Sequence, residues 1–418
     1  MGDVHNRKKN LQNTLNKIRE NPELSEENTK LLIEFKDHLL AENISVERTC
    51  RYMSSWNTLA PLFDFSLENA DKKDLKKLVG KINQDQINGK DYSVWTLAEF
   101  KKAVRKLYTY LEGEEEPELV DFVSVNVKET DKPRTDPSEL PRPSDVKSML
   151  KHASNNRDRA LIFFTWDTGG RISEILNVKW KDIEFGENLT KVRFRESKTG
   201  ERKVHIRESV ETIKQWKQES PNTEPDDYVF ITLKGYGETE KGDQMPYSTA
   251  SQIFKRLGDG AELECKYNPH AFRKGRATNM AGQGMNQAQL CEYFGWVQGS
   301  DQAATYIRMA EQDLEKAVKQ IHGLEETEEE KEDLSPKTCA SCDSVNPGYR
   351  DQCKECGNAI TEDVDKVIEM KEEEVTNEVK TDIVEELFDK MGMDQDEREQ
   401  FMDRKMEEKV SEMEFFQQ

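Results

Sequence analysis

The sequence predicts a mainly α-helical chain in which a helical domain precedes an α+β domain, a cysteine-rich ribbon and a helical tail. Apolar residues recur at helical spacing through most of residues 23–322, one alternating stretch predicts a small β-hairpin, and two C-x-x-C pairs follow. A length of 418 residues is typical of two to three domains. We divide the chain into a flexible N-terminus (1–22), a helical domain (23–112), a linker (113–143), the α+β domain (144–322), an acidic linker (323–335), the ribbon (336–358) and an acidic helical tail (359–418).

Four amphipathic stretches predict the helices of the first domain. The first follows Ser25, a weak N-cap because no Glu or Gln stands three residues later. The last stretch places apolar side chains on one face and basic ones on the other, the apolar ones being Leu97, Phe100, Val104, Leu107 and Leu111. An acidic run and four prolines then predict the linker.

The second domain alternates helical stretches with one hairpin. Residues 191–206 change to a period of two around Lys198-Thr199-Gly200, which predicts two strands joined by a turn. Helical stretches are expected before this hairpin at 145–180 and after it between 210 and 323.

Composition and charge exclude several classes of protein. No apolar run approaches 18 residues and the first residues lack an apolar signal segment, so we expect a cytoplasmic protein without a membrane partner. Glycine-rich phosphate loops are absent, so nothing indicates a nucleotide cofactor. Of the net charge of −21, residues 311–418 carry about −20. The preceding part is therefore nearly neutral and still able to bear basic, nucleic-acid-binding surfaces.

Six residues of the second domain form an ordered set. Arg171 lies in TGGRISEIL, Lys198 at the hairpin turn, and His270 and Arg273 in an H-x-x-R pair, while Trp296 ends YFGW and Tyr306 follows ten residues later. In this order and spacing residues 144–310 resemble the tyrosine recombinase (phage integrase) family. Residues 23–112 look like the N-terminal core-binding domain of that family. The resemblance implies a site-specific DNA recombinase with an α+β catalytic domain.

The resemblance also implies the role of each residue, and the residue types suit that chemistry. Arg171 and Arg273 would hold the phosphate oxygens, and Tyr306 would form a 3′-phosphotyrosyl bond. His270 would act as the base or proton shuttle for Tyr306, and Lys198 would protonate the 5′-oxygen of the leaving group. Trp296 would donate a hydrogen bond to phosphate. Strand exchange would then need neither ATP nor a metal.

Three departures from the family pattern leave alternatives open. Trp296 stands where many members have His, ten residues separate it from Tyr306 where nine are usual, and Lys274 stands where His is common. Tyr293 and Lys203 compete with Tyr306 and Lys198 for their roles. One alternative is a catalytically silent DNA-binding protein on the same fold, and another is a type IB topoisomerase.

The partners implied by the resemblance are double-stranded DNA and further copies of the chain. The two domains would close around the duplex as a clamp, with four protomers on two sites. The segment after Tyr306 would dock on a neighbouring protomer. Basic side chains expected to contact DNA are Lys101, Lys102, Arg105, Lys203 and Lys274.

Two cysteine pairs predict a structural zinc site. Cys339, Cys342, Cys353 and Cys356 form two C-x-x-C knuckles with ten residues between them, which suits a closed tetrahedral Cys₄ site. Two disulfides or free thiols are the alternative, although a cytoplasmic setting disfavours disulfides. The ribbon or the acidic tail could contact a protein partner, or the tail could cover the basic cleft. The ribbon and the acidity are compatible with an archaeal or viral source.

Overall fold

The computed structural model describes residues 6–85, 87–128, 130, 136–195, 200–235, 240–299, 301–310 and 334–360, with Phe388, Lys390, Met391 and Arg398. This part of the chain is mainly helical with two small antiparallel sheets, which confirms the predicted fold class. Lys198, most of the acidic linker and nearly all of the acidic tail lie outside the described residues.

Five helices share the first hydrophobic core. They are α1 (Arg7–Arg19), α2 (Glu26–Ala41), α3 (Val46–Leu59), α4 (Lys72–Asn83) and α5 (Val94–Glu112). Helix α1 corrects the prediction of a flexible N-terminus over 1–22, because Leu11, Leu15 and Ile18 are buried in this core. Ser25 caps α2 as predicted, its hydroxyl accepting a hydrogen bond from the backbone N–H of Asn28.

The second domain contains the remaining α-helices of the described chain. These are α6 (Pro143–His152), α7 (Asn156–Thr168), α8 (Ile172–Leu176), α9 (Val210–Glu219), α10 (Tyr247–Gly260), α11 (Pro269–Gly282), α12 (Gln287–Phe294) and α13 (Asp301–Ala310). Except for the half-buried Arg159, every residue of α7 from Arg157 to Thr168 is buried, so α7 is the central helix of this domain. Helices α11, α12 and α13 also meet in a small apolar cluster of their own.

A three-stranded antiparallel sheet lies beside α7. Strand β2 (Thr190–Phe194) pairs with β3 (Arg202–Ile206), which confirms the predicted hairpin, and β1 (Ile183–Glu184) adds a short third strand that the sequence did not indicate. The apolar side chains alternate toward the core, while Lys191, Lys203 and His205 face outward.

The ribbon packs directly onto the second domain. Its strands β4 (Lys337–Thr338) and β5 (Val345–Asn346) pair antiparallel. The ring of Tyr349 is 5% exposed and meets Phe163 of α7 edge-on, with 6.1 Å between ring centroids. Asp351 forms ion pairs with Lys147 at 3.1 Å and Lys151 at 2.6 Å, both on α6. The Tyr349 ring and the Asp351 carboxylate therefore anchor the ribbon to α7 and α6.

We predict that the variant Tyr349→Ala detaches the ribbon while the two larger domains stay folded. Removing a buried aromatic ring costs about 3 kcal/mol, which exceeds the worth of the solvent-accessible ion pairs at Asp351. Trypsin should then cleave within residues 337–354 much faster than in the parent protein. The control is Val345→Ala, at a ribbon side chain 43% exposed. Equal cleavage rates in the parent and Tyr349→Ala would contradict this account of the anchor.

Candidate functional site

Arg273 is anchored at the centre of the site by three parts of the chain. It lies on α11, is 4% exposed, and donates hydrogen bonds to the carbonyl oxygens of Gly169, at 2.7 Å, and Phe294. Gly169 ends α7 with φ +54°, and a Cβ there would lie 2.3 Å from the Phe294 ring, so only glycine fits this turn. This turn sets the direction in which the chain leaves α7. It therefore also sets the position of Arg171, which directly precedes α8.

Glu174 links Arg171 to a second arginine. One carboxylate oxygen accepts a hydrogen bond from the Arg171 guanidinium at 2.6 Å. The other accepts from the Arg171 backbone N–H at 2.9 Å and from the Arg202 guanidinium at 2.7 Å. Burial alone would raise the pKa of Glu174, but Arg202 and Arg171 outweigh burial and lower this pKa to about 2. The carboxylate is therefore ionised, and two cations share its single negative charge.

The described residues of the site carry more positive than negative charge. Burial, followed by repulsion from Arg171 and Arg202, lowers the pKa of Arg273 to about 9, although Glu174 acts in the opposite direction. A buried guanidinium is expensive unless an anion pairs with it, and Arg273 pairs here with neutral carbonyls. The cluster of Arg171, Arg202, Arg273 and Glu174 thus favours the binding of an anion.

An aromatic stack joins Arg273 to Tyr306. Trp296 is stacked between Phe294, with centroids 4.9 Å apart, and Tyr306, with centroids 5.2 Å apart. The Arg273 guanidinium lies 5.2 Å from the centroid of Phe294 and 5.5 Å from that of Trp296. Burial raises the pKa of Tyr306, and Arg273 opposes this shift. The ten-residue gap therefore leaves the Tyr306 ring close to Arg273 of the same chain.

His270 lies one helical turn before Arg273 on α11, so their side chains share a face of the helix. Desolvation lowers the pKa of His270, and so do the charges of Lys274, Arg273 and Arg171. The imidazole is accordingly neutral at physiological pH and able to accept a proton. Lys198 lies outside the described residues; of the hairpin around it, β2 ends at Phe194 and β3 begins at Arg202, whose guanidinium binds Glu174.

Tyr293 occupies a structural position. Its hydroxyl donates to the carbonyl oxygens of Asp167, at 2.8 Å, and His205, at 3.2 Å, and burial raises its pKa. These contacts tie α12 to the end of α7 and to β3. Tyr306, by contrast, is stacked on Trp296, whose ring also lies against the Arg273 guanidinium.

The predicted DNA-contact residues fall into two regions. On α5, Lys102 pairs with Glu99 at 2.8 Å and Lys101 donates to Asn83 at 3.3 Å, while Arg105 is half-buried. Near the site, Lys203 is exposed on β3 and Lys274 is half-buried after Arg273. The basic face of α5 is therefore partly neutralised by acidic neighbours within the protein.

Two further residues of the site, Glu174 and Arg202, are not among those predicted from the sequence. The sequence does contain a pattern that indicates each of these two residues. Glu174 follows Arg171 at helical spacing, and Arg202 shares the inward positions of β3 with Val204 and Ile206. The period of two therefore marks Arg202 as buried once the strand is assigned.

The four predicted metal ligands converge in the ribbon. The sulfurs of Cys339, Cys342, Cys353 and Cys356 lie within 4.8 Å of one another, and all four are free thiols. Two of the sulfur–sulfur distances are 3.6 Å, between Cys339 and Cys356 and between Cys342 and Cys353. Tetrahedral zinc with Zn–S bonds of about 2.3 Å needs sulfurs about 3.8 Å apart, so these thiols fit a metal ion.

In the part of the chain that the structure describes, no helix has the length and apolar character needed to span a membrane.

Comparisons with known proteins identify the second domain. Residues 141–331 match the phage integrase family. A probable integrase/recombinase protein of Methanocaldococcus jannaschii is 26% identical over 160 residues, covering 36% of this chain and 46% of that protein. The tyrosine recombinase XerC of Staphylococcus aureus is 29% identical over 191 residues, covering 44% of this chain and 60% of that protein. The chain thus spans about half the length of these curated relatives.

Solved structures share the fold over a longer stretch. The XerH site-specific recombinase bound to a palindromic difH substrate aligns with a TM-score of 0.52 at 17% identity, covering 75% of this chain and 95% of that one. A lambda integrase dimer bound to a COC′ core site aligns with a TM-score of 0.51 at 16% identity, covering 69% and 79%. Over residues 141–331 the chain therefore contains a phage integrase family domain with the fold of the tyrosine recombinases.

Proposed function

We propose that this protein is a site-specific tyrosine recombinase that cleaves and rejoins duplex DNA through a 3′-phosphotyrosyl intermediate. The observation that carries the proposal is the aromatic stack that holds Tyr306 against a buried arginine cluster with excess positive charge. A scissile phosphate is an anion of the required kind, and a tyrosine next to it is a nucleophile.

The geometry supports an in-line displacement at phosphorus. Arg171 and Arg273 bind the non-bridging oxygens and stabilise the charge that develops on them. The Tyr306 oxygen attacks phosphorus, its proton passes to neutral His270, and the bond from phosphorus to the 5′-oxygen breaks. Lys198 protonates that oxygen. The phosphotyrosyl bond conserves the phosphoester, so religation by the 5′-hydroxyl needs neither ATP nor a metal.

Trp296 combines two roles in this proposal. Its indole N–H donates a hydrogen bond to the bound phosphate, while its ring supports the Tyr306 ring. A catalytically silent protein would need no aligned nucleophile, so the stack favours the enzyme over that alternative. The separate α1–α5 domain favours a recombinase over a topoisomerase.

DNA binding and assembly follow from the same proposal. The structural neighbours include a lambda integrase tetramer bound to a Holliday junction, with a TM-score of 0.50. We infer a clamp in which α5 and the second domain contact opposite sides of the duplex, and four protomers act on two sites. Lys101 and Lys102 would then exchange Asn83 and Glu99 for phosphates, and phosphates would also be contacted by Arg105, Lys203 and Lys274.

The cysteine cluster is proposed as a structural zinc site. A site filled by four thiolates has no open position for substrate, so the metal would stabilise the ribbon and take no part in DNA cleavage. Its own apolar cluster consists of Cys339, Cys353 and Ile360, too few residues to fold the ribbon without a metal.

We predict that Tyr306→Phe abolishes covalent adduct formation on nicked duplexes carrying candidate sites from the protein's genomic neighbourhood. Phenylalanine keeps the stack but removes the attacking oxygen, so the duplex should still bind. A denaturing gel detects the covalent protein–DNA band. The control Tyr293→Phe should retain the band, because the Tyr293 hydroxyl is bonded to carbonyl oxygens. A band that survives in Tyr306→Phe, or tight binding without a band in the parent protein, would refute the proposal.

We also predict one zinc ion per chain, lost in Cys339→Ser and Cys353→Ser and kept in Cys50→Ser. The first two variants each remove a buried ligand, whereas Cys50 lies half-buried on α3. Elemental analysis of the purified protein gives the metal content, and trypsin cleavage within the ribbon reports its folding. A parent protein that is metal-free, with its ribbon resistant to trypsin, would overturn the zinc site.

A further inference from the structure

The ten residues between the two C-x-x-C knuckles carry the side chains that attach the ribbon to the second domain. Tyr349 belongs to the apolar core of that domain, and Asp351 shares its carboxylate between Lys147 and Lys151 of α6. The Arg159 guanidinium of α7 lies 5.9 Å from the centroid of the Tyr349 ring. The surface with which the ribbon contacts the domain is thus the segment that the two cysteine pairs enclose.

Further contacts extend this surface on both sides of the segment. Lys354, inside the second knuckle, lies 3.8 Å from a carboxylate oxygen of Glu211 on α9. Leu334, just before the ribbon, is 4% exposed and belongs to the same apolar core as Tyr349. A Cβ on Gly348 would lie 2.4 Å from the Leu334 carbonyl oxygen, so the close approach of these two stretches requires glycine. The ribbon therefore covers parts of α6, α7 and α9 together.

The conformation of the segment depends on the two knuckles. The buried side chain of Asn346 accepts a hydrogen bond from the backbone N–H of Lys354 at 2.8 Å and donates one to the carbonyl oxygen of Ser344 at 2.9 Å. The backbone N–H of Cys339 donates to that same carbonyl oxygen. Cys339 and Cys353, two of the predicted metal ligands, make up most of the ribbon's own apolar cluster. A few hydrogen bonds and one isoleucine are a small return for the entropy lost in ordering the ribbon, so its order depends on the metal.

We propose that zinc bound by the ribbon stabilises the second domain, because it holds residues 343–352 in the conformation that packs on α6 and α7. This inference rests on the proposed zinc site and is independent of DNA cleavage. A ligand that binds only the ordered ribbon also favours the state in which Tyr349 is packed against Phe163. The affected helix α7 ends at Gly169, whose carbonyl oxygen binds Arg273, so the metal supports the frame of the arginine cluster from a distance.

A ribbon that folds on its own beside the second domain makes a different prediction. Its metal would protect the amides of the ribbon alone, and α6 and α7 would be equally stable with and without zinc. The variant Tyr349→Ala separates the two accounts, because it removes the aromatic contact and leaves all four thiols in place. If the coupling passes through Tyr349, this variant binds zinc, and the metal no longer stabilises the two helices.

The experiment measures amide hydrogen exchange of the full chain in a thiol reductant, loaded with zinc and after a chelator has removed the metal. In the parent, removal of zinc should speed exchange in α6 and in the first half of α7 about tenfold or more, while α1–α5 stay unchanged. In Tyr349→Ala these amides should exchange fast in both conditions. Asp351→Asn leaves the apolar core intact, and its zinc effect should be smaller than that of the parent. The control Val345→Ala, at an exposed ribbon side chain, should match the parent.

Two results would overturn the inference. One is equal exchange of α6 and α7 in the zinc-loaded and zinc-free parent. The other is a full zinc effect on these helices in both Tyr349→Ala and Asp351→Asn. A parent protein that binds no zinc would refute the zinc site and this inference with it. Elemental analysis of the same samples distinguishes that failure from a zinc-loaded ribbon that is not coupled to the second domain.

Discussion

The division of the Glu174 charge between Arg171 and Arg202 is the interaction on which the rest of the site depends. It holds two guanidiniums close to Arg273 in a buried setting where their repulsion is costly, and it leaves the group short of negative charge. The Gly169 turn, the inward alternation of β3 and the end of α12 all place a donor or acceptor in this cluster. The described cluster is therefore an unfavourable electrostatic arrangement that a bound anion, such as the phosphate of the proposed function, would relieve.

A second buried network, made of hydrogen bonds, fixes the relative positions of α7 and α11. Asp167, near the end of α7, accepts hydrogen bonds from the backbone N–H and hydroxyl of Ser209 at 2.8 and 3.0 Å, and from Arg276 at 3.2 Å. Arg276 also pairs with Glu208 at 2.7 Å, and it follows Arg273 by three residues on α11. The helix that carries Arg273 is thereby bonded to the helix that leads into Arg171. Hydrogen bonds between charged side chains therefore hold α7 and α11 together at the site, and the apolar core packs against both helices.

Much of this fold could be predicted from the sequence, because helical and alternating periods are local. The four helices α2–α5 and the β2–β3 hairpin follow from such patterns, whereas the six site residues follow from the resemblance to a known family. Helix α1 was missed because its three apolar residues are diluted among polar ones and are stabilised by tertiary contacts. The partners of Glu174, the packing of Tyr349 on α7 and the stacking of Tyr306 on Trp296 join residues distant in sequence. A single sequence carries no direct record of such contacts.

The measurement that tests this account most directly is a calorimetric titration of the DNA-free protein with sulfate, at constant ionic strength, beside the variant Arg171→Met. Sulfate resembles the phosphate diester in shape and needs no target sequence, so it reports on the arginine cluster alone. The account predicts saturable binding of one sulfate to the parent protein, greatly weakened in the variant. Binding of equal strength in both proteins, or none to the parent, would contradict the claim that the cluster around Glu174 is built for an anion.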